Sequence, residues 1–240
     1  MANDPKTGQR KLVAYLSSPQ QWNRFAYVVN NPLKHIDPDG ERIEIFGTEA
    51  ERKQAFDRIK AVVGARGATM LEVRQEGDHF FVEVKKNDYP GLFDLGFLES
   101  RVAAFIASRD VLEFHVATTF ESKAGRKSVS SFGGGVTLGA DESLTGHTQI
   151  FVHPDAGDKA NDVFFNTMIG QTRSSEGSRG RGLFFYNDTV DAHEFGHAWA
   201  NMMFNTPLHG SRAEESYPYA HRFENEIRQR RGDTARRIKE

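Results

Sequence analysis

The chain has 240 residues, of which 38% are hydrophobic, 11% aromatic and 27% charged, enough apolar mass for one sizeable core or two small ones. It has no cysteine, so disulfides and thiolate metal ligands are excluded and any metal must be held by His, Asp or Glu. A formal net charge of -2 argues against nucleic acid or an anionic membrane surface as partner, and the chain has no apolar run of about 18 residues or more that could span a membrane.

Residues 1–40 are rich in Asn, Pro, Gln and Asp. Turn signals stand at Asn30-Asn31-Pro32 and at Asp37-Pro38-Asp39-Gly40. Before them, Trp22–Val29 is an aromatic, strand-like run, so the segment reads as a short hairpin. The opening Met1-Ala2-Asn3-Asp4-Pro5 lacks the charged and apolar regions of a secretory signal, so delivery by some other carrier is expected. The stretch WNRFAYVVNNPLKHIDPDG resembles the last repeat of the core of Rhs/YD-repeat proteins, with the aromatic repeat, the NNP turn and the DPxG turn in the family's order. The resemblance spans roughly residues 14–40. It implies that 1–40 is the end of a shell and 41–240 a toxin payload. Such a payload is delivered into a target cell by its carrier and is matched by a cognate immunity protein. Many family members have Leu after the DPxG glycine, where the core cleaves itself; here Glu41 follows Gly40.

The payload reads as α+β with a mixed sheet. Glu41–Gly47 alternates like a strand, and Thr48-Glu49-Ala50-Glu51 is a capping box that opens a helix to about Val63, closed by Gly64 or Gly67. Met70–Arg74 and His79–Val84 predict a hairpin, Leu98–Ala107 a helix and Val111–Thr118 a strand. Ser128–Ser131 reads as a polar loop, and Gly135–Leu138 and Thr148–Val152 as two more strands. Asp155–Asn161 and Gln171–Arg181 read as polar loops, and Leu183–Tyr186 as an apolar run leading into the next helix.

That helix holds His193-Glu194-Phe195-Gly196-His197. Two histidines four apart lie on one helical face, one turn apart, and can share one metal. Glu194 projects beside that metal, where a carboxylate can take a proton from the attacking water and return it to the leaving amine. Asp188 or Thr189 is expected to cap the helix, with Asp191 in its first turn. Gly196 costs about 1 kcal/mol relative to Ala in a helix interior, so a close approach by a strand or by substrate is expected there.

Two histidines leave zinc short of ligands, since a catalytic site keeps three protein ligands and an open position. Candidates downstream are His209, Glu214, Glu215, Glu224 and Glu226. The stretch Phe223-Glu224-Asn225-Glu226-Ile227-Arg228, following HExxH, resembles the ENxxR segment of effector-type zinc peptidases that bacteria inject into host cells. Gly133-Gly134-Gly135 before a strand adds a weaker similarity. The resemblance implies a zincin-like metallopeptidase with zinc as cofactor, a target-cell protein as substrate and Glu224 as third ligand. The helical wheel agrees on burial: Glu224 falls near Ala220, Phe223 and Ile227, and Glu226 falls toward the polar side. A buried carboxylate wants a metal or an ion partner, and Arg228, four residues on, is the competing explanation.

Gly135, Val136 and Leu138 are candidate substrate-binding residues, because a strand with a Gly-rich lead-in can offer its edge to an extended peptide. His35, His79, His115, His147, His153 and His221 have no metal spacing and read as surface or hydrogen-bonded side chains. The basic run Arg228–Arg231, with Arg236, Arg237 and Lys239, reads as a solvated helix face, or under a rival hypothesis as a nucleic-acid contact. The competing functions are a nuclease payload and a non-catalytic zinc-binding module. The first lacks a paired-carboxylate or HNH-like site, and the second gives Glu194 no use.

Overall fold

Ile43 and Ile45 turn inward on β1 (Ile43–Ile45), and from this short strand the sheet is built outward on both sides. The computed structural model describes residues 43–85, 95–108, 110–163, 184–208 and 213–233. By its contacts the chain divides after Gly40 into two units. The first of these lies outside the described residues, as do 171–181 and His209.

The elements of the second unit follow the hydrophobic pattern. The capping box at Thr48 and Glu51 forms as predicted and opens α1 (Glu49–Ala68). Gly64 breaks the helical angles at φ 72°, yet the chain resumes a helical turn to Ala68, so the predicted stop is an interruption. β2 (Leu71–Glu76) and β3 (His79–Val84) pair as the expected hairpin, followed by α2 (Phe97–Ile106) and β4 (Leu112–Val116). β5 (Thr119–Ser122) and β6 (Gly125–Ser128) form a second hairpin that the sequence reading missed. Ser128–Ser131, predicted as a loop, contains the end of β6 and the start of a 3-10 turn over Val129–Phe132. β7 (Gly135–Leu138) and β8 (Thr148–Val152) match the predicted strands. Residues 156–163 are helical where a loop was expected. The chain then enters α3 (Asn187–Phe204) and, after a 3-10 turn at Ala213–Ser216, α4 (Tyr217–Arg230).

The six-stranded sheet has the order β2-β3-β1-β4-β8-β7. β1, β4 and β8 run parallel, while β7 pairs with β8 antiparallel and is the last strand on its side. The α+β class with a mixed sheet is therefore correct. One face of the sheet (Ile43, Ile45, Leu112, Phe114, Val116, Ile150, Val152) packs on the helices in the main core, against Ile59 and Val62 of α1, Leu98 and Val102 of α2, Phe195 of α3 and Phe223 and Ile227 of α4. On the other face a smaller cluster joins Phe120 and Val129 to Val136, Leu138 and Phe151. Strand alternation explains the split on β7: Val136 and Leu138 belong to the small cluster, and Gly135 and Thr137 turn toward α3.

Candidate metal centre

α3 starts two or three residues earlier than its sequence suggests. Tyr186 is the N-cap residue, and Asp188 and Thr189 lie inside the first turn. The Tyr186 amide donates to Thr189 Oγ1 at 3.4 Å, which satisfies one end of the turn. The approach is fixed by Asn161, which exchanges two 2.9 Å hydrogen bonds with the backbone of Phe185. Asn205, in the left-handed region at φ 51°, ends the helix.

The faces of α3 have separate tasks. Phe195 sits in the core between Phe114 and Phe105, with ring centroids at 5.5 and 5.7 Å. Asp191, expected at the helix start to suit the dipole, is instead fully buried against α1, where Arg58 Nε donates to it at 2.9 Å. Burial pushes its carboxyl up to about 6, and Arg58 opposes the shift. Gly196 faces α4: a Cβ there would stand 2.4 Å from Ala220 Cα. Its missing side chain therefore serves the close packing of α4, a helix standing where a strand or substrate was expected. Contacts of His193 with Glu224, His197 with Ser216 and Asp188 with Arg231 show α3 and α4 running antiparallel.

His193 and His197 come together as their spacing predicts. Their Nε2 atoms are 3.1 Å apart, and the other nitrogen of each ring has its own partner. His193 Nδ1 is 3.0 Å from Glu224 Oε2, and His197 Nδ1 is 2.8 Å from Ser216 Oγ. Ser216 precedes α4 in the N-cap position but makes no cap bond with its side chain, which goes to the histidine. Glu224 is buried, and its Oε1 accepts from Arg228 Nε at 2.9 Å. The competing explanation for this carboxylate, the ion pair four residues on, is thus present alongside the contact to His193. Arg228 is fully buried and also donates to Phe184 O at 2.7 Å and to Asp233 at 2.9 Å. Arg230 donates to Val62 O and Glu99, and Arg231 to Asp188. Arg228 therefore belongs to the core, which corrects the reading of the run as a solvated face at that residue, while Gln229, Arg230 and Arg231 are exposed.

Glu194, the proposed proton carrier, is buried under β7. Thr137 Oγ1 donates to its Oε2 at 2.7 Å, and a Cβ on Gly135 would meet Glu194 Cγ and Oε1 at 2.8 Å. The Gly135–Leu138 strand, the HExxH helix and the start of α4 thus meet in one place. Val136 and Leu138 have their side chains on the far face, so of the three candidates Gly135 alone borders Glu194. Glu214 and Glu215 lie in the 3-10 turn before α4 and are exposed, and Glu226 is half-buried.

The donor set suits a cation. A tetrahedral zinc with nitrogen ligands at 2.0–2.1 Å holds those nitrogens about 3.3 Å apart. A carboxylate at His193 Nδ1 calls for a proton there, which leaves the Nε2 lone pair facing His197. When His197 also carries its proton on Nδ1, toward Ser216, both Nε2 lone pairs face one point and can share a cation; in the other tautomer His197 Nε2 donates to His193 Nε2 across the same 3.1 Å. Among the described residues no three His, Asp or Glu side chains converge on one point as they stand.

Sequence reasoning missed Thr137, Ser216, Tyr217 and His221. The His221 ring lies 5.8 Å from that of His193, and the Tyr217 ring 5.3 Å from that of His197. The signal was available, since Tyr217, His221, Glu224 and Arg228 fall within about 60° of the helix circumference. No protein-family model, curated protein or solved structure matches this chain.

Proposed function

We propose that residues 41–240 are a zinc-dependent endopeptidase of zincin-like design, acting as the toxic payload of an Rhs-type protein on a protein in a target cell. The observation that carries this reading is the pair of imidazole Nε2 atoms 3.1 Å apart on the helix that also holds the buried Glu194 carboxylate. His193 and His197 would hold the zinc, with a third donor from α4; the resemblance assigns Glu224. Bound zinc supplies Lewis acidity and lowers the pKa of a water to about 7. Glu194 takes the proton of the attacking water and gives it to the leaving amine. Thr137, by donating to Oε2, holds the Glu194 carboxylate in one orientation. β7, at the sheet edge beside Glu194, supports the idea that an extended peptide adds there as a strand. No helix among the described residues is long and apolar enough to cross a membrane.

The delivery setting rests on the resemblance of residues 14–40, which also brings the shell and an immunity protein as partners. The test is incubation of the chain with denatured protein and with plasmid DNA, each with and without a chelator. Chelator-sensitive cleavage of protein with DNA left intact is expected. DNA cleavage with intact protein would replace the reading by the nuclease one, and zinc binding without either activity by the binding module.

A further inference from the structure

We propose that His221 completes the zinc site as a third imidazole and that Glu224 is a positioning residue behind His193. This rests on the peptidase reading above and changes its ligand set.

Both oxygens of Glu224 are committed. Oε1 faces the Arg228 guanidinium, with Nε and Nη2 each at 2.9 Å, and Oε2 is 3.0 Å from His193 Nδ1. Ligation through Oε2 would break its contact with His193, and ligation through Oε1 would strip a fully buried arginine of this oxygen, an expensive loss in a low-dielectric interior. Depth points the same way. The Glu224 side chain is 1% exposed and that of His193 17%, so the carboxylate sits on the inner side of the ring. A catalytic metal needs an open position for water and substrate, which calls for the outer side.

The contact that Glu224 does make is the one a ligating histidine needs. Metal-bound imidazoles give their remaining N–H to a carboxylate, a carbonyl or another polar group, which fixes the tautomer and the ring. Glu224 does this for His193, and Ser216 stands in the same relation to His197. Both Nδ1 atoms are engaged, and both Nε2 atoms turn to each other.

His221 lies on the same stripe of α4, one turn before Glu224. It is half-buried, with its ring 5.8 Å from the rings of His193 and Tyr217. Among the described residues no three donors converge as they stand, so a metal held there draws in one more side chain. The half-buried His221 ring stands next to the His193 ring, whereas the Glu224 carboxylate is engaged on both oxygens. Three histidines and an open position form an established type of catalytic zinc site.

X-ray absorption of the zinc-loaded full chain counts imidazoles directly. Three are expected. Two imidazoles with a carboxylate oxygen would overturn the proposal and leave the peptidase reading standing, whereas a chain that binds no zinc would overturn both. Two variants sharpen the result by chelator competition. Glu224→Gln should keep zinc and the three-imidazole signature, with affinity down about 10–100-fold, and should shift the Nδ1 proton resonance of His193. His221→Ala should lose more affinity than Glu224→Gln and fall to two imidazoles. The reverse order, with Glu224→Gln the emptier variant, contradicts the proposal; if either variant fails to fold, the parent spectrum decides.

Discussion

On the α1 side of α3, Asp191 is buried against Arg58; on the α4 side, Glu224 is buried against Arg228. The chemistry of the two pairs is the same and their surroundings differ. Arg58 also donates to His153 O at 2.6 Å, and a cavity of about 840 Å³ opens beside the pair, lined by Arg58, Asp191, Tyr186 and Arg231. That carboxylate is bonded to Arg58, and the pair ties α1 to α3. Glu224 has a second oxygen on His193, and through that ring it reaches the half-exposed cluster of His197, Tyr217 and His221. A buried ion pair is weak evidence of function by itself. What separates the two is whether the carboxylate is continued by a group that can do chemistry.

The largest effect should come from breaking the α1 pair. Asp191→Ala leaves Arg58 buried without its carboxylate and should cost about 3–5 kcal/mol of stability by chemical denaturation. Any folded fraction should bind zinc as the parent does, since the pair does not touch the histidines; a selective loss of zinc affinity would erase the contrast between the two sides.

Gly196→Ala tests the helix contact between them. Its Cβ would collide with backbone, not with a movable side chain, at 2.4 Å from Ala220 Cα. Overpacking of this kind costs about 1–3 kcal/mol, and the Ala propensity gain of about 1 kcal/mol offsets part of it. A lower unfolding midpoint is expected; a midpoint above the parent's would mean that α4 has room to move.

Thr137→Val removes the hydroxyl that orients Glu194 and should leave the zinc site intact. A fall in kcat of about 10-fold with KM unchanged is expected, the size of losing one hydrogen bond of roughly 1.4 kcal/mol to a charged group. Unchanged kcat would show that Glu194 is held by other contacts.

The smallest effect lies on the far side of the sheet, toward its β2 edge. His79 Nδ1 is 2.6 Å from Glu44 Oε1, and that hydrogen bond and charge raise the His79 pKa above its ordinary value. A raised histidine pKa gives stability that is fully present below the unfolded value of about 6.5 and is lost as pH rises through the folded value. An NMR titration should find His79 titrating high, and Glu44→Gln should return it to the ordinary range. This side of the sheet has no bearing on the metal, so zinc affinity should not change in that variant.

Much of this arrangement could be read from residues alone, for identifiable reasons. The strands at 135–138 and 148–152 and the helix at 187–204 follow from apolar periodicity, and the histidine pair follows from a spacing that one helix imposes. The β5–β6 hairpin escaped because Gly125-Arg126-Lys127-Ser128 has almost no apolar residues; it is held by pairing to β5, with Val129 beneath it in the small cluster. Asp155–Asn161 was misread because its polar letters conceal Ala156 and Ala160, which pack with Phe185 and Val190. Around the site, the burial of Glu224 was legible from the helical wheel, but its partners were not. A wheel gives the face of a residue and not the depth of its carboxylate relative to a ring on another helix. Thr137 and Ser216 were invisible for the same reason, since each acts across tertiary contacts 57 and 19 residues long.

The central claim is that Glu194 moves protons while the histidines hold the metal. The direct measurement is zinc content and peptide-bond cleavage of Glu194→Gln beside the parent, on one denatured protein substrate. Equal zinc in both is expected, with cleavage reduced by about 10²–10⁴-fold or more in the variant. Parent-like cleavage by Glu194→Gln, or cleavage by the parent that survives complete removal of zinc, would contradict it.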